Sequence, residues 1–178
     1  MLKRLFASTP LLLLLLLPYG ITIDPQGTIC FTEASKHQLG RLDPSTGAVR
    51  LYPIQDTTTT LMEVTSDAHG IIWATTFNAG LLIHFDPATE QFSYYHAPST
   101  GAGTGGMYGL LAANNNTLWI TVPAENAIGR FDTTTQHFTY YRIPTDGSSP
   151  LGIAMDAKNF LWFTEAGSNK IGQLQPSL

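Results

Sequence analysis

The sequence predicts an all-β fold, a β-propeller of four blades forming an open arc or partial ring, the last blade incomplete. First, the stretch PLGIAMDAKNFLWFTEAGSNKIGQL (150–174) has three earlier counterparts. They are PYGITIDPQGTICFTEASKHQLGRL from Pro18, LMEVTSDAHGIIWATTFNAGLLIHF from Leu61 and MYGLLAANNNTLWITVPAENAIGRF from Met107. Second, Cys30, Trp73, Trp119 and Trp162 stand 43, 46 and 43 residues apart. Asp43, Asp86, Asp132 and Gln175 keep the same intervals, as do Gly20, Glu63, Gly109 and Gly152. A period in the low forties with several short strands per unit marks propeller blades. Third, no stretch after residue 18 has helical periodicity, so nothing competes with the strand reading.

The blades span 18–54, 61–98, 107–144 and 150–178, within a propeller region of 19–178. Blade 1 reads as strands a to d over 21–23, 29–32, 39–42 and 49–53. Asp24-Pro25-Gln26-Gly27 and Asp43-Pro44-Ser45-Thr46-Gly47 supply the hairpin turns between them. Blade 2 turns at Ser66-Asp67-Ala68-His69-Gly70 and Asp86-Pro87-Ala88-Thr89. Blade 3 turns at Ala113-Asn114-Asn115-Asn116 and Asp132-Thr133-Thr134-Thr135. The runs 92–95 and 138–141 are aromatic and alternating, as half-exposed outer strands should be. A Gly-rich insertion over 99–106 accounts for the 46-residue interval. Blade 4 stops after strand c, and 6–11 falls at the offset from which a closed ring would borrow the missing strand.

Residues 1–18 form a hydrophobic N-terminus: a basic start at Lys3 and Arg4, then an unbroken leucine run over 11–17. That pattern resembles a secretory signal and predicts a secreted or periplasmic protein, although no small-residue cleavage site precedes the first repeat at Pro18. Asn115-Asn116-Thr117 is a glycosylation sequon in a eukaryotic source. The net charge of −4, with 12% charged residues and no block of like charge, argues against a nucleic-acid partner. Cys30 is the single cysteine and stands in a tryptophan slot, so it reads as a small buried hydrophobe.

Strands a and b are antiparallel, so the start of a, the end of b and the b–c loop share one face. Few polar groups populate it. Glu33 and Glu165 end strand b in blades 1 and 4, each within a Phe-Thr-Glu triplet, and could hold a hard cation or act as acid or base. The competing reading makes each a structural acceptor for N–H groups of the b–c loop. Thr76 and Val122 hold the same position in the other blades. His37 is the one histidine on this face, and its alignment with Gly80, Asn126 and Asn169 suggests a turn position of positive φ. Tyr19, Met62, Tyr108 and Leu151 precede strand a.

The pattern Pro-x-Gly-Ile…Trp-Phe-Thr-Glu…Asn-Lys-Ile-Gly, nearly complete over 150–172, resembles the repeat of the virginiamycin B lyase (streptogramin B lyase) family. The resemblance covers about 18–175. It implies a seven-bladed propeller, a carbon–oxygen lyase that linearises a cyclic depsipeptide antibiotic by magnesium-dependent elimination at its ester, and hence antibiotic resistance. It also implies catalytic and substrate-binding histidines just before strand a, a metal-binding glutamate two residues earlier, and another at the Phe-Thr-Glu position. Those histidine slots carry Tyr19, Met62, Tyr108 and Leu151, and the upstream glutamate slots Leu17, Thr60, Gly106 and Ser149. Glu33 and Glu165 match the strand-b glutamate and would be the magnesium ligands. Candidate partners are therefore a small cyclic peptide or other small molecule, and a second copy completing a ring. A non-catalytic binding propeller of the NHL or gluconolactonase type shares the architecture without the chemistry.

Overall fold

The computed structural model describes residues 17–98, 106–113 and 116–176. Blade 1 contains β1 (Pro18–Ile23), β2 (Ile29–Glu33), β3 (Gln38–Leu42) and β4 (Val49–Pro53). Blade 2 contains β5 (Leu61–Ser66), β6 (Ile72–Thr76), β7 (Leu81–Asp86) and β8 (Gln91–His96). Blade 3 contains β9 (Leu110–Ala113), β10 (Thr117–Val122), a 3-10 turn (Pro123–Glu125), β11 (Ala127–Asp132) and β12 (His137–Arg142). Blade 4 has three strands, β13 (Pro150–Met155), β14 (Leu161–Glu165) and β15 (Lys170–Leu174). Each blade is one antiparallel sheet in sequential order. The 6–11 stretch at the offset of a closing strand, most of the 99–106 loop and Asn115 of the sequon lie outside the described residues.

Strand a is longer than its apolar triplet suggests, because a bulge lets Pro18 pair with Glu33 before the ladder resumes at Ile21–Phe31. The irregularity recurs between Leu61 and Val64 and between Pro150 and Ile153. Bulges bend a strand and re-aim the side chains within them.

Each blade buries a forward face against the backward face of the next. Cys30, Leu39 and Tyr52 of blade 1 pack on Val64, Ile72, Ala74 and Phe85 of blade 2. Trp73 and Leu82 pack on Leu118, Ile120 and Phe131 of blade 3, and Trp119 and Ile128 on Leu161 and Phe163 of blade 4. Period-two alternation of apolar residues on both faces drives this stacking, each fully buried side chain contributing about 2 kcal/mol. The inner strands β1, β5, β9 and β13 contact one another in succession, and no packing of that extent joins β13 to β1. The four blades therefore form an open arc.

Cys30 is fully buried, as expected, and burial pushes its thiol pKa up, so it is inert. In blades 2 and 4 the tryptophan indole N–H donates to an aspartate of the a–b turn, Trp73 to Asp67 and Trp162 to Asp156, both at 2.9 Å. In blade 1 the place of the indole beside Cys30 is taken by its cross-strand neighbour Arg41, which donates to Asp24 at 2.9 Å.

Candidate functional site

The rim built by the strand-a bulges is organised by one threonine per blade. At the start of strand a in each blade, within the bulge in blades 1, 2 and 4, a threonine hydroxyl of strand b accepts a backbone N–H. The pairs are Gly20 to Thr32 at 2.8 Å, Glu63 to Thr75 at 3.2 Å, Gly109 to Thr121 at 2.7 Å and Gly152 to Thr164 at 2.9 Å. The same hydroxyl then donates across the blade junction. Thr32 reaches the Met62 carbonyl at 2.6 Å, Thr75 the Tyr108 carbonyl at 2.6 Å and Thr121 the Leu151 carbonyl at 2.8 Å. Met62 and Leu151 lie inside β5 and β13, at the start of strand a, and Tyr108 lies just before β9, so each staple fixes the backbone of a histidine slot. Gly20 and Gly109 are required here: a Cβ on either would fall within 3 Å of the next blade's backbone.

Tyr19 and Tyr108 meet on this rim. Their hydroxyls hydrogen-bond to each other and their rings meet edge to face at 86°, centroids 6.1 Å apart, although blade 2 separates them in the chain. The hydrogen bond to Tyr108, more than burial or the charge of Glu63, pushes the Tyr19 phenol up to about 12. Met62 is buried beneath this rim, and Leu151 lies on it half-buried. Glu63 belongs to the same rim, and partial burial raises its carboxyl pKa. Sequence reasoning passed over Glu63, whose signal is plain in retrospect: it is a carboxylate in a slot that is glycine in the other three units.

The strand-b glutamates are both buried but held by their own blades. Glu33 accepts from the Leu17 backbone N–H and from the Ser35 hydroxyl at 2.9 Å, while its other oxygen has no partner. Glu165 accepts from the Ser168 hydroxyl at 3.3 Å. One donor to Glu33 thus comes from the residue before strand a rather than from the b–c loop, since Pro18 pairs with Glu33 and sets Leu17 beside the end of strand b. The arc keeps Glu33 and Glu165 three blades apart. Among the described residues no three histidine, cysteine or acidic side chains converge as a metal site. The unpartnered oxygen of Glu33 is open to a cation, and magnesium, which keeps several of its own waters, needs only one or two such carboxylates.

His37 has φ 55°, matching Gly80 at 59°, Asn126 at 50° and Asn169 at 55°, so the turn reading holds. Its Nδ1–H donates to the Thr59 carbonyl, tying the b–c loop of blade 1 to the segment entering blade 2. A shallow cleft of about 320 Å³ opens on the opposite face, between Asp24, Asp67 and Ala113. Its two aspartates already accept from Arg41 and from the Trp73 indole.

Similarity to known proteins follows the same lines. The model of the virginiamycin B lyase family matches residues 16–177. Virginiamycin B lyase of Nocardia farcinica is 32% identical over 105 residues, 58% of this chain and 33% of that protein. The crystal structure of virginiamycin B lyase from Staphylococcus aureus superposes with a TM-score of 0.82 at 31% identity, covering 89% of this chain and 52% of the other. A catalytically inactive form of that enzyme with quinupristin gives a TM-score of 0.81, again at 31% identity, covering 89% of this chain and 52% of that one. The chain therefore spans about half the length of the solved structures it matches. By sequence and by fold, it belongs to the virginiamycin B lyase family.

Proposed function

We propose that this chain is a non-catalytic, ligand-binding member of its family, with its site on the rim formed by Tyr19, Glu63 and Tyr108. The contact between the two tyrosine hydroxyls carries the reading. It fills two of the positions where the family resemblance calls for histidine, and it holds Tyr19 as a neutral phenol far from the range of a base at neutral pH. Two aromatic rings beside a partly desolvated carboxylate suit a small amphipathic molecule, its apolar body on the phenols and a cationic or donor group on Glu63.

The lyase reading is favoured by family membership and by the retained Glu33 and Glu165. Under it those two carboxylates would hold magnesium, which would polarise the departing ester. Quinupristin separates the two readings. Elimination opens the ring without changing mass, so the linear isomer is sought by chromatography after incubation with magnesium. Intact quinupristin, with a calorimetric binding isotherm that Tyr108→Ala abolishes, is the expected result. Appearance of the linear isomer overturns the proposal.

We further propose, from the basic start and leucine run, that the chain is exported. Recovery from the culture medium or periplasmic fraction supports this, and retention in the cytosol refutes it.

A further inference from the structure

The rim has few acceptors to spare. The carbonyls of Met62, Tyr108 and Leu151 each accept a threonine hydroxyl from the preceding blade. The hydroxyls of Tyr19 and Tyr108 are bonded to each other. Glu63 is different, because no ion pair among the described residues includes it. Its backbone is pinned beside Tyr19: the N–H donates to Thr75, and a Cβ on Gly20 would fall 2.9 Å from its Cα. The carboxylate is near enough for its charge to act on the Tyr19 phenol.

Aromatic rings share the face with that carboxylate. Those of Tyr19 and Tyr108 stand at 86°, a corner rather than a stack, and Tyr19 is 46% exposed. Phe77 presents a third ring, 52% exposed, just past the end of strand b in blade 2, and it belongs to none of the three cores. Its N–H donates to the Thr60 carbonyl at 3.0 Å, in the run into Glu63. The carbonyl of its neighbour Thr76 accepts the N–H of Met107 at 2.9 Å, in the run into Tyr108. The backbone of Phe77 is thus held between the segments that carry the other two groups.

We infer that this rim takes an alkylated ammonium ion, tertiary or quaternary, with Tyr19, Tyr108 and Phe77 as its walls and Glu63 as its counter-charge. The inference rests on the ligand-binding reading above and names the chemical class of the ligand. Ring faces attract a cation through their quadrupole, and an ammonium wrapped in methyl groups gives up little water to reach them. A primary amine brings three N–H donors, and with the rim carbonyls already bonded Glu63 alone cannot pair them all. A methylated nitrogen brings one N–H or none. A metal ion would use the carboxylate and leave the rings idle. A neutral ligand would shut Glu63 away from water with its charge uncompensated.

Probes built on one skeleton make the test: choline, its uncharged carbon isostere dimethylbutanol, and ethanolamine, whose nitrogen is unmethylated. Each is titrated into the full chain and followed through the ring resonances of labelled tyrosines. Choline should bind about tenfold tighter than either of the others, the order of preference that cation–π attraction supplies. Dimethylbutanol or ethanolamine binding as well as choline overturns the inference, and so does choline that fails to bind. Glu63→Gln and Tyr19→Leu should each remove most of choline's advantage and leave dimethylbutanol unmoved, while Phe77→Ala should weaken choline severalfold. A choline affinity that ignores all three variants puts the ion elsewhere and overturns the inference too. Should a variant fail to fold, the comparison of probes on the wild type decides alone. Quinupristin keeps this inference apart from the reading it rests on. If quinupristin binds intact, and Tyr108→Ala abolishes that binding, while choline fares no better than its isostere, the ligand class is wrong and the site stands. If quinupristin is opened, the ligand-binding reading falls and this inference with it.

Discussion

The hydroxyl of Thr75 donates to the carbonyl of Tyr108 at 2.6 Å while accepting the N–H of Glu63 at 3.2 Å. One fully buried side chain thus closes the bulge of its own blade and ties that blade to the next. The rim residues stand where they do because of this relay.

Removing the relay strands two backbone groups of half-buried residues, and an unsatisfied buried group costs about 1–3 kcal/mol. Thr75→Val keeps the shape and deletes the hydroxyl, so urea unfolding should show a loss of about 2 kcal/mol or more. Thr75→Ser keeps the oxygen and should recover most of it. Equal stability of the valine and serine variants would remove the relay from the explanation.

Arg41 and Asp24 replace the indole–aspartate bond of blades 2 and 4, and the Asp24 side chain is wholly buried. Arg41→Ala leaves that carboxylate without its cation, a change that costs about 3 kcal/mol. The double variant Arg41→Ala/Asp24→Asn should be more stable than Arg41→Ala alone. Thermal unfolding of the set reads both differences.

How much of this was legible in the sequence divides along physical lines. The blades were, because a face that must meet another face repeats its apolar residues at a fixed period, and Trp73, Trp119 and Trp162 print that period directly. His37 was legible as a turn residue, since its counterparts are glycine and asparagine and all four take positive φ. The threonine relay was not read, although Thr32, Thr75, Thr121 and Thr164 recur at the blade interval. A threonine in a strand looks like ordinary β-propensity until its acceptor in another blade is seen. The meeting of Tyr19 and Tyr108 was also invisible, because it depends on the curvature of the arc and not on spacing along the chain.

Glu63 titrates above the ordinary carboxylate range because burial disfavours its charge. A raised folded pKa means that its favourable contribution is complete below the unfolded value and is lost as pH rises through the folded one. Glu63→Gln should therefore stabilise the protein at pH 7 and leave it unchanged near pH 3. Chemical denaturation at the two pH values measures the difference, and a loss of stability at pH 7 would mean that Glu63 has a cationic partner.

The contact between Tyr19 and Tyr108 supports the functional reading, and it is measured most directly by alkaline titration of tyrosines labelled with 13C at Cζ. Tyr19 should titrate near 12, and Tyr108→Phe should return it toward its ordinary value of 10. Tyr140, held up to about 12 chiefly by burial, should stay in place as the internal control. A wild-type Tyr19 that titrates near 10, or one that ignores the loss of the Tyr108 hydroxyl, would mean that the rim is open and the proposed site is wrong.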